Sequence, residues 1–300
     1  MKKRVADSIK ELQREFSGNS FHLHTYMGVY EIRDRDEAVS IMVDKANIAA
    51  DTIKNNYDCC VAYYDEHLLE ISIEQRRLLG EFEPALQNDE FVMYLQPQVK
   101  RDGAAKGAEA LVRWVHPSRG ILTPYAFIDI LENAGLIYKL DLYIWEKAAQ
   151  KLAEWKEKGY GSYHISVNIS TKDFYIIDIY ETFTGLINKY GIAASNLHLE
   201  ITETTLMTDF EKNMNIIHKL QGVGFRVEID DFGSGYSSLN MLKDISADVL
   251  KIDMGFLRKS ENEVKGQDIL ESIITLAGKI GMDVITEGVE TKKCSLICLQ

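Results

Sequence analysis

Proline and cysteine are both scarce in this chain, four of each in 300 residues. So few prolines exclude a polyproline linker, and the absence of low-complexity tracts excludes a biased spacer. The cysteines stand as the neighbours Cys59 and Cys60 and as Cys294 and Cys298. That spacing offers no zinc framework, and the four read as free thiols of a reducing cytoplasm. No run approaches the roughly 18 apolar residues that a membrane span needs. The start, Met1-Lys2-Lys3-Arg4, is basic but has no apolar segment behind it, so it does not read as a signal peptide. Positive charge is in deficit: 34 Lys and Arg face 46 Asp and Glu, for a net charge of −12. This argues against nucleic acid polymers and anionic membranes as partners. A phosphate ligand stays compatible where bound cations reverse the local field. What is present is a 46% apolar fraction and length enough for one large domain or two ordinary ones.

Residues 1–66 read as a small α/β piece: a polar helix over 6–16, a strand over 21–30, a helix over 36–54 and a strand over 59–64. Ala38, Ile41, Met42, Ile48, Ala49 and Ile53 recur at helical spacing. His22 and His24 share one strand face, which reads as an ordinary face rather than a metal pair. Strand, helix with a small-residue face, and strand resemble the closing part of a GGDEF (diguanylate cyclase) domain. The Gly-Gly-Asp/Glu-Glu-Phe loop of that family is nowhere in the chain. The resemblance therefore implies a partial remnant without a catalytic loop and without cyclase activity. Residues 67–88 form a charged, Leu-spaced connecting helix.

From residue 89 to 300 strand-like and amphipathic helical runs alternate, the signature of β/α units and a parallel sheet. Strands are expected over 91–99, 108–115, 163–169, 197–202, 226–229, 249–252 and 284–286. Helices are expected over 124–134, 140–158, 173–190, 209–222, 237–245 and 267–281. Seven strands with short loops fit an α/β, TIM-like (β/α)8 barrel lacking its last strand. A doubly wound sheet is the alternative.

The chain is organised around Glu228-Ile229-Asp230-Asp231-Phe232-Gly233-Ser234-Gly235. Successive strand residues point to opposite faces, so adjacent aspartates share a site only where a strand ends. Two carboxylates beside a glycine-lined loop suit hard divalent cations, with an acidic turn as the bland reading. Other strand ends carry polar residues too: Glu109, Asn168, Glu200 with Glu203, Lys251 with Asp253, and Glu287. A lone Glu within an apolar strand costs several kcal/mol (roughly 2–7) unless paired or bound to an ion. Lys251 is the one cation among these strand-end residues, and it cannot neutralise seven carboxylates. Divalent metal is the natural counter-charge.

These residues lie in six segments: Glu109-Ala110-Leu111-Val112-Arg113-Trp114, Val167-Asn168-Ile169-Ser170, Glu200-Ile201-Thr202-Glu203, Asp230 to Gly235, Lys251-Ile252-Asp253 and Glu287-Gly288-Val289-Glu290-Thr291. In order and spacing they resemble the EAL-domain cyclic-di-GMP phosphodiesterases. Tyr94-Leu95-Gln96-Pro97 and Gly120-Ile121-Leu122-Thr123-Pro124 match further family positions. The resemblance implies metal-dependent hydrolysis of cyclic di-GMP to linear pGpG. Glu109, Asn168, Glu200 and Asp230 would hold one Mg²⁺ or Mn²⁺, and Asp230 with Asp231 a second. Lys251 would contact the nucleophilic water and Glu287 would position it or take its proton. Glu203 would anchor the loop after Asp231. Gln96, Leu111, Arg113 and Asp253 would meet the dinucleotide, Arg113 at a phosphate. A homodimer is compatible with the family. Trp114, Trp145 and Trp155 read as packing residues.

The resemblance fades after Lys293, where the family continues through a further helix and strand. This chain carries Cys294-Ser295-Leu296-Ile297-Cys298-Leu299-Gln300 instead. The expectation is a barrel with two open edges, lower stability and impaired catalysis. A cyclic-di-GMP receptor without turnover is the competing function, and a scaffold that binds no nucleotide is the third.

Overall fold

The computed structural model describes residues 26–54, 60–100, 102–232, 245–253 and 263–288, with side chains of the last segment described from Asp268. The expected helix over 6–16, His22, His24, Cys59, Cys294, Cys298 and most of the helix over 237–245 fall outside them. So do the glycine loop from Gly233 and the tail. The chain divides into two compact units, one through Phe82 and one from Glu83.

In the first unit β1 (Met27–Val29) pairs in parallel with β2 (Val61–Tyr63), and α1 (Val39–Asp51) makes the crossover. Small residues permit the helix to lie on the strand. A Cβ on Gly28 would fall 1.7 Å from the Ala46 carbonyl oxygen, and Ala49 is fully buried. Helix α2 (Glu66–Gln87) follows and contains the division between the units.

The second unit is an eight-stranded sheet ordered β10-β9-β8-β7-β6-β4-β3, with β5 hydrogen-bonded to β4. The strands are β3 (Phe91–Val99), β4 (Ala105–His116), β5 (Gly120–Leu122), β6 (His164–Ile169), β7 (Leu197–Thr202), β8 (Arg226–Phe232), β9 (Val249–Asp253) and β10 (Asp283–Glu287). The expected all-parallel sheet is corrected at one end: β3 and β4 run antiparallel. Only Lys100 to Ala104 separates them, and a parallel connection needs a dozen or more residues. β5 also pairs antiparallel with β4, and the path β4-β6-β7-β8-β9-β10 is parallel.

The helices are α3 (Ile128–Ala134), α4 (Ile137–Glu157), α5 (Asp173–Ile176), α6 (Ile179–Tyr190), α7 (Glu203–Thr208), α8 (Phe210–Val223) and α9 (Glu263–Lys279). The single helix expected over 173–190 is two, because Asp178 caps a new start by accepting from the Glu181 amide at 3.0 Å. Helix α7 was not expected. Thr202 starts it by accepting from the Thr205 amide. Among the described residues no helix is long and apolar enough to cross a membrane.

Strand alternation explains how the sheet divides its two faces. Ile165, Val167, Ile169, Leu197, Leu199, Ile201, Val227, Ile229, Leu250 and Ile252 are all buried. Each such side chain contributes about 1.5–3 kcal/mol through burial. Helix α4 buries Leu140, Ile144, Trp145, Ala148, Ala149 and Leu152 along one stripe. The alternate strand positions are polar: His164, Ser166, His198, Glu200, Glu228 and Lys251. These polar residues face the inside of a curl. Four strand steps separate β4 from β9, about 19 Å in a flat sheet. Yet Lys251 Nζ lies 3.1 Å from Glu109 Oε2. Only a sheet bent into a TIM-like half-barrel brings them together.

Candidate active site

Lys251, 1% exposed, occupies the middle of this concave face. Its ammonium lies 2.8 Å from Glu287 Oε1, 3.1 Å from Glu109 Oε2, 3.1 Å from Asp230 Oδ1 and 3.2 Å from Glu200 Oε1. Side chains from five strands thus meet at one nitrogen. The register explains the convergence, because Asn168 pairs with Glu200, Thr202 with Asp230, Ile285 with Lys251 and Glu287 with Asp253.

One cation among four carboxylates leaves three negative charges uncompensated. Burial alone would lower the Lys251 pKa. Glu200, Asp230, Glu109 and Glu287 outweigh it and hold the ammonium above the usual lysine range. Burial pushes Glu200 well above the ordinary carboxylate range, with Lys251 opposing. Burial also raises Glu287, again against Lys251. Neither oxygen of Glu200 accepts a hydrogen bond of acceptable geometry, although the residue is wholly buried. A buried carboxylate with free lone pairs beside further carboxylates is a donor set for a hard divalent cation.

Asp230 and Asp231 reach one neighbourhood through a break in strand geometry. The β8–β9 register shifts between Ile229 and Phe232, and Asp231 has φ +55°. That left-handed conformation is uncommon outside glycine, and Asp adopts it more readily than most residues. Burial raises the Asp231 pKa, the charge of Asp230 raises it further, and Lys251 opposes. Asn168 is exposed, and its carbonyl accepts from Trp145 Nε1 at 2.9 Å. Trp145 is therefore a packing residue that also ties down the end of β6. Behind that end Asp173 accepts from the Ser170 amide at 2.8 Å. Burial raises both Asp141 and Asp173, and their mutual proximity raises Asp141 further. Sequence reading passed over this pair because it sits on helices.

The residues expected to bind substrate continue along β3 and β4. Glu109, Leu111 and Arg113 alternate on one face of β4, with Gln96 opposite Glu109 and Tyr94 opposite Leu111. The pairing of β4 with β6 ends at Glu109, so Leu111 and Arg113 extend beyond the carboxylate layer. Arg113 donates to the Val112 carbonyl at 2.8 Å, and its guanidinium carbon lies 5.7 Å from the Tyr94 ring centre. Gln96 and Asp253 are exposed. Glu203 is half-buried at the start of α7, and the loop it was expected to anchor lies outside the described residues.

A second polar cluster escaped the sequence reading. His198 Nδ1 lies 2.6 Å from Glu228 Oε1, Ser166 Oγ donates to Glu228 Oε2 at 3.2 Å, and the His164 and His198 rings stack at 3.8 Å. Ser166, His198 and Glu228 each lie one strand alternation before a residue already singled out (Asn168, Glu200 and Asp230), and His164 lies two before Asn168. That period of two was the available signal.

The EAL domain family profile matches residues 80–294. MucR of Pseudomonas aeruginosa, a bifunctional diguanylate cyclase/cyclic di-GMP phosphodiesterase, is 32% identical over 245 residues, 81% of this chain and 35% of its own length. PdeR of Escherichia coli, a cyclic di-GMP phosphodiesterase, is 32% identical over 209 residues, 70% of this chain and 32% of its own. The chain thus spans about a third of these relatives. A PaMucR phosphodiesterase structure in complex with c-di-GMP has TM-score 0.70 and 32% identity, covering 74% of this chain and 91% of that one. A Vibrio cholerae LapD structure containing S helix, GGDEF and EAL has TM-score 0.67 at 20% identity, covering 99% of this chain and 70% of that one, a likeness of fold.

Proposed function

The chain belongs to the EAL domain family, and on that premise we propose that it is a phosphodiesterase hydrolysing cyclic di-GMP to linear pGpG with divalent metal, Mg²⁺ or Mn²⁺. The observation that carries the proposal is the buried Glu200 carboxylate. It accepts no hydrogen bond and sits beside Glu109 and Asp230 around a single ammonium. The residues fit a metal pair: Glu109, Asn168, Glu200 and Asp230 would hold one ion, and Asp230 with Asp231 the other. When bound, such ions supply Lewis acidity that lowers the pKa of a water and offsets phosphate charge.

The chain's own groups do the rest. Lys251 donates a hydrogen bond to the attacking water and offsets the negative charge carried by the phosphoryl oxygens. Glu287, its pKa raised by burial, accepts the water's proton. Arg113 extends past the carboxylates on β4 and grips a substrate phosphate with its planar fork. Gln96 and Leu111 meet a guanine, Asp253 lies beside the substrate at the end of β9, and Glu203 supports the loop after Asp231.

The N-terminal unit, with strand, helix and strand, is proposed as a partial GGDEF-like remnant. The LapD likeness, which covers 99% of this chain, supports that reading of the fold. A homodimer and a cytoplasmic location belong to the same reading.

The test is chromatography of cyclic di-GMP incubated with the chain and Mg²⁺ or Mn²⁺, with Glu109→Ala alongside. Appearance of pGpG, abolished in the variant, is the expected result. No turnover with intact nucleotide binding by calorimetry would replace the enzyme with a receptor.

A further inference from the structure

We propose that His164, His198 and Glu228 form a separate site for a divalent transition metal of the zinc class, on the floor of the half-barrel at the N-terminal ends of its strands. One donor atom from each residue lies within 4.8 Å of the others, and all three residues are buried. The strand register separates this cluster from the carboxylate layer. His198 and Glu228 each stand two residues before Glu200 and Asp230, and His164 stands four before Asn168. Two imidazoles and a carboxylate suit a borderline ion such as zinc, whereas the carboxylates and amide above suit a hard one.

The chain makes room for this cluster at a cost. A Cβ on Gly107 would meet the His164 ring at 2.5 Å, so the glycine is what seats that imidazole. His164 Nε2 donates to Gln98 Oε1 at 2.6 Å, which leaves its Nδ1 with a free lone pair. A ligating histidine held through its other nitrogen is the usual support for a metal site.

Binding replaces the proton between His198 Nδ1 and Glu228 Oε1, 2.6 Å apart. Tetrahedral zinc, with bonds of about 2.0–2.1 Å, needs its donors roughly 3.3 Å apart. The pair must open slightly, and because the two rings lie parallel one imidazole must turn about its Cβ–Cγ bond. His164 is pinned by Gly107 and Gln98, so the turn falls to His198. A cavity of about 290 Å³ beside the cluster gives it space and offers water as the fourth ligand. Of the cations lining that cavity, Arg226 is paired with Asp283 at 2.6 Å, and Lys100 and Lys106 are exposed.

Cobalt(II) titration tests the site without reference to catalysis. The host is Glu109→Gln combined with Asp231→Asn, which disables the carboxylate site on the opposite rim. The expected result is one equivalent of cobalt with the strong visible absorption of tetrahedral coordination. Stoichiometric zinc should displace it, and His198→Gln or Glu228→Gln in the same host should abolish it. Circular dichroism checks that each variant is folded. If His198→Gln does not fold, His164→Gln carries the same expectation. No tetrahedral spectrum in the host, or an unchanged spectrum in a folded histidine variant, overturns the proposal.

Discussion

Replacing Lys251 with methionine keeps most of the side-chain volume and removes the charge to which four carboxylates point. At about 3 Å and an effective dielectric of about 20, each attraction is worth roughly 5 kcal/mol before desolvation and repulsion among the carboxylates are subtracted. What survives in a stability measurement is smaller. Removing one partner of a buried ion pair costs about 3–5 kcal/mol, because the other charges stay buried without compensation. A unit of this size loses roughly 2–4 °C for each kcal/mol. Lys251→Met should therefore unfold about 10 °C below the parent when both are melted in a chelator at pH 7.5. Mn²⁺ should then recover more stability in the variant than in the parent, because the ion supplies the missing positive charge to the same oxygens. A variant that melts within about 2 °C of the parent in chelator would refute the reasoning, and so would equal recovery by Mn²⁺.

Two further outcomes follow from the described geometry. Burial raises the pKa of Glu200, Glu287 and Asp231 above their unfolded values, so their contribution to metal-free stability is present below about pH 4 and is lost as pH rises through the raised values. Thermal unfolding in chelator should show that decline, and saturating Mn²⁺, which requires ionised carboxylates, should flatten it. Gly107→Ala should destabilise by about 1–3 kcal/mol through collision with the His164 ring. In the double variant with His164→Ala the penalty should largely vanish, and additive losses in chemical denaturation would show that the clash lies elsewhere.

The strands were legible because they alternate or run apolar within sharp boundaries. All seven expected segments match within three residues at either end, the largest differences being the earlier start of β4 and the run of β8 on to Phe232. The antiparallel start was legible in the five residues between β3 and β4, but the repeated β/α pattern downstream overrode it. Short pieces such as α7 and β5 carry too few residues for periodicity to register. The rim residues stood out because charge at a strand end is conspicuous in sequence. His164, His198 and Glu228 did not, since the period of two puts them on the same strand face as the rim residues without saying whether that face is inward or solvated. The curl of the sheet makes that distinction, and it is a property of long-range pairing. The pairing of Trp145 with the Asn168 carbonyl was hidden for a similar reason, because packing and hydrogen bonding by one indole look alike from sequence.

Lys251 is anchored to the barrel by its own strand, so its ammonium is always at hand and can never diffuse away. The half-barrel consequently carries a built-in stand-in for the ions its carboxylates suit. The chain can assemble its concave face before any metal arrives, with folding and metal supply uncoupled. Ion choice then becomes a displacement contest in which a newcomer must satisfy Glu109, Glu200 and Asp230 better than a tethered single charge does. A monovalent ion brings no more charge than the lysine and has little to offer there, whereas a divalent one does.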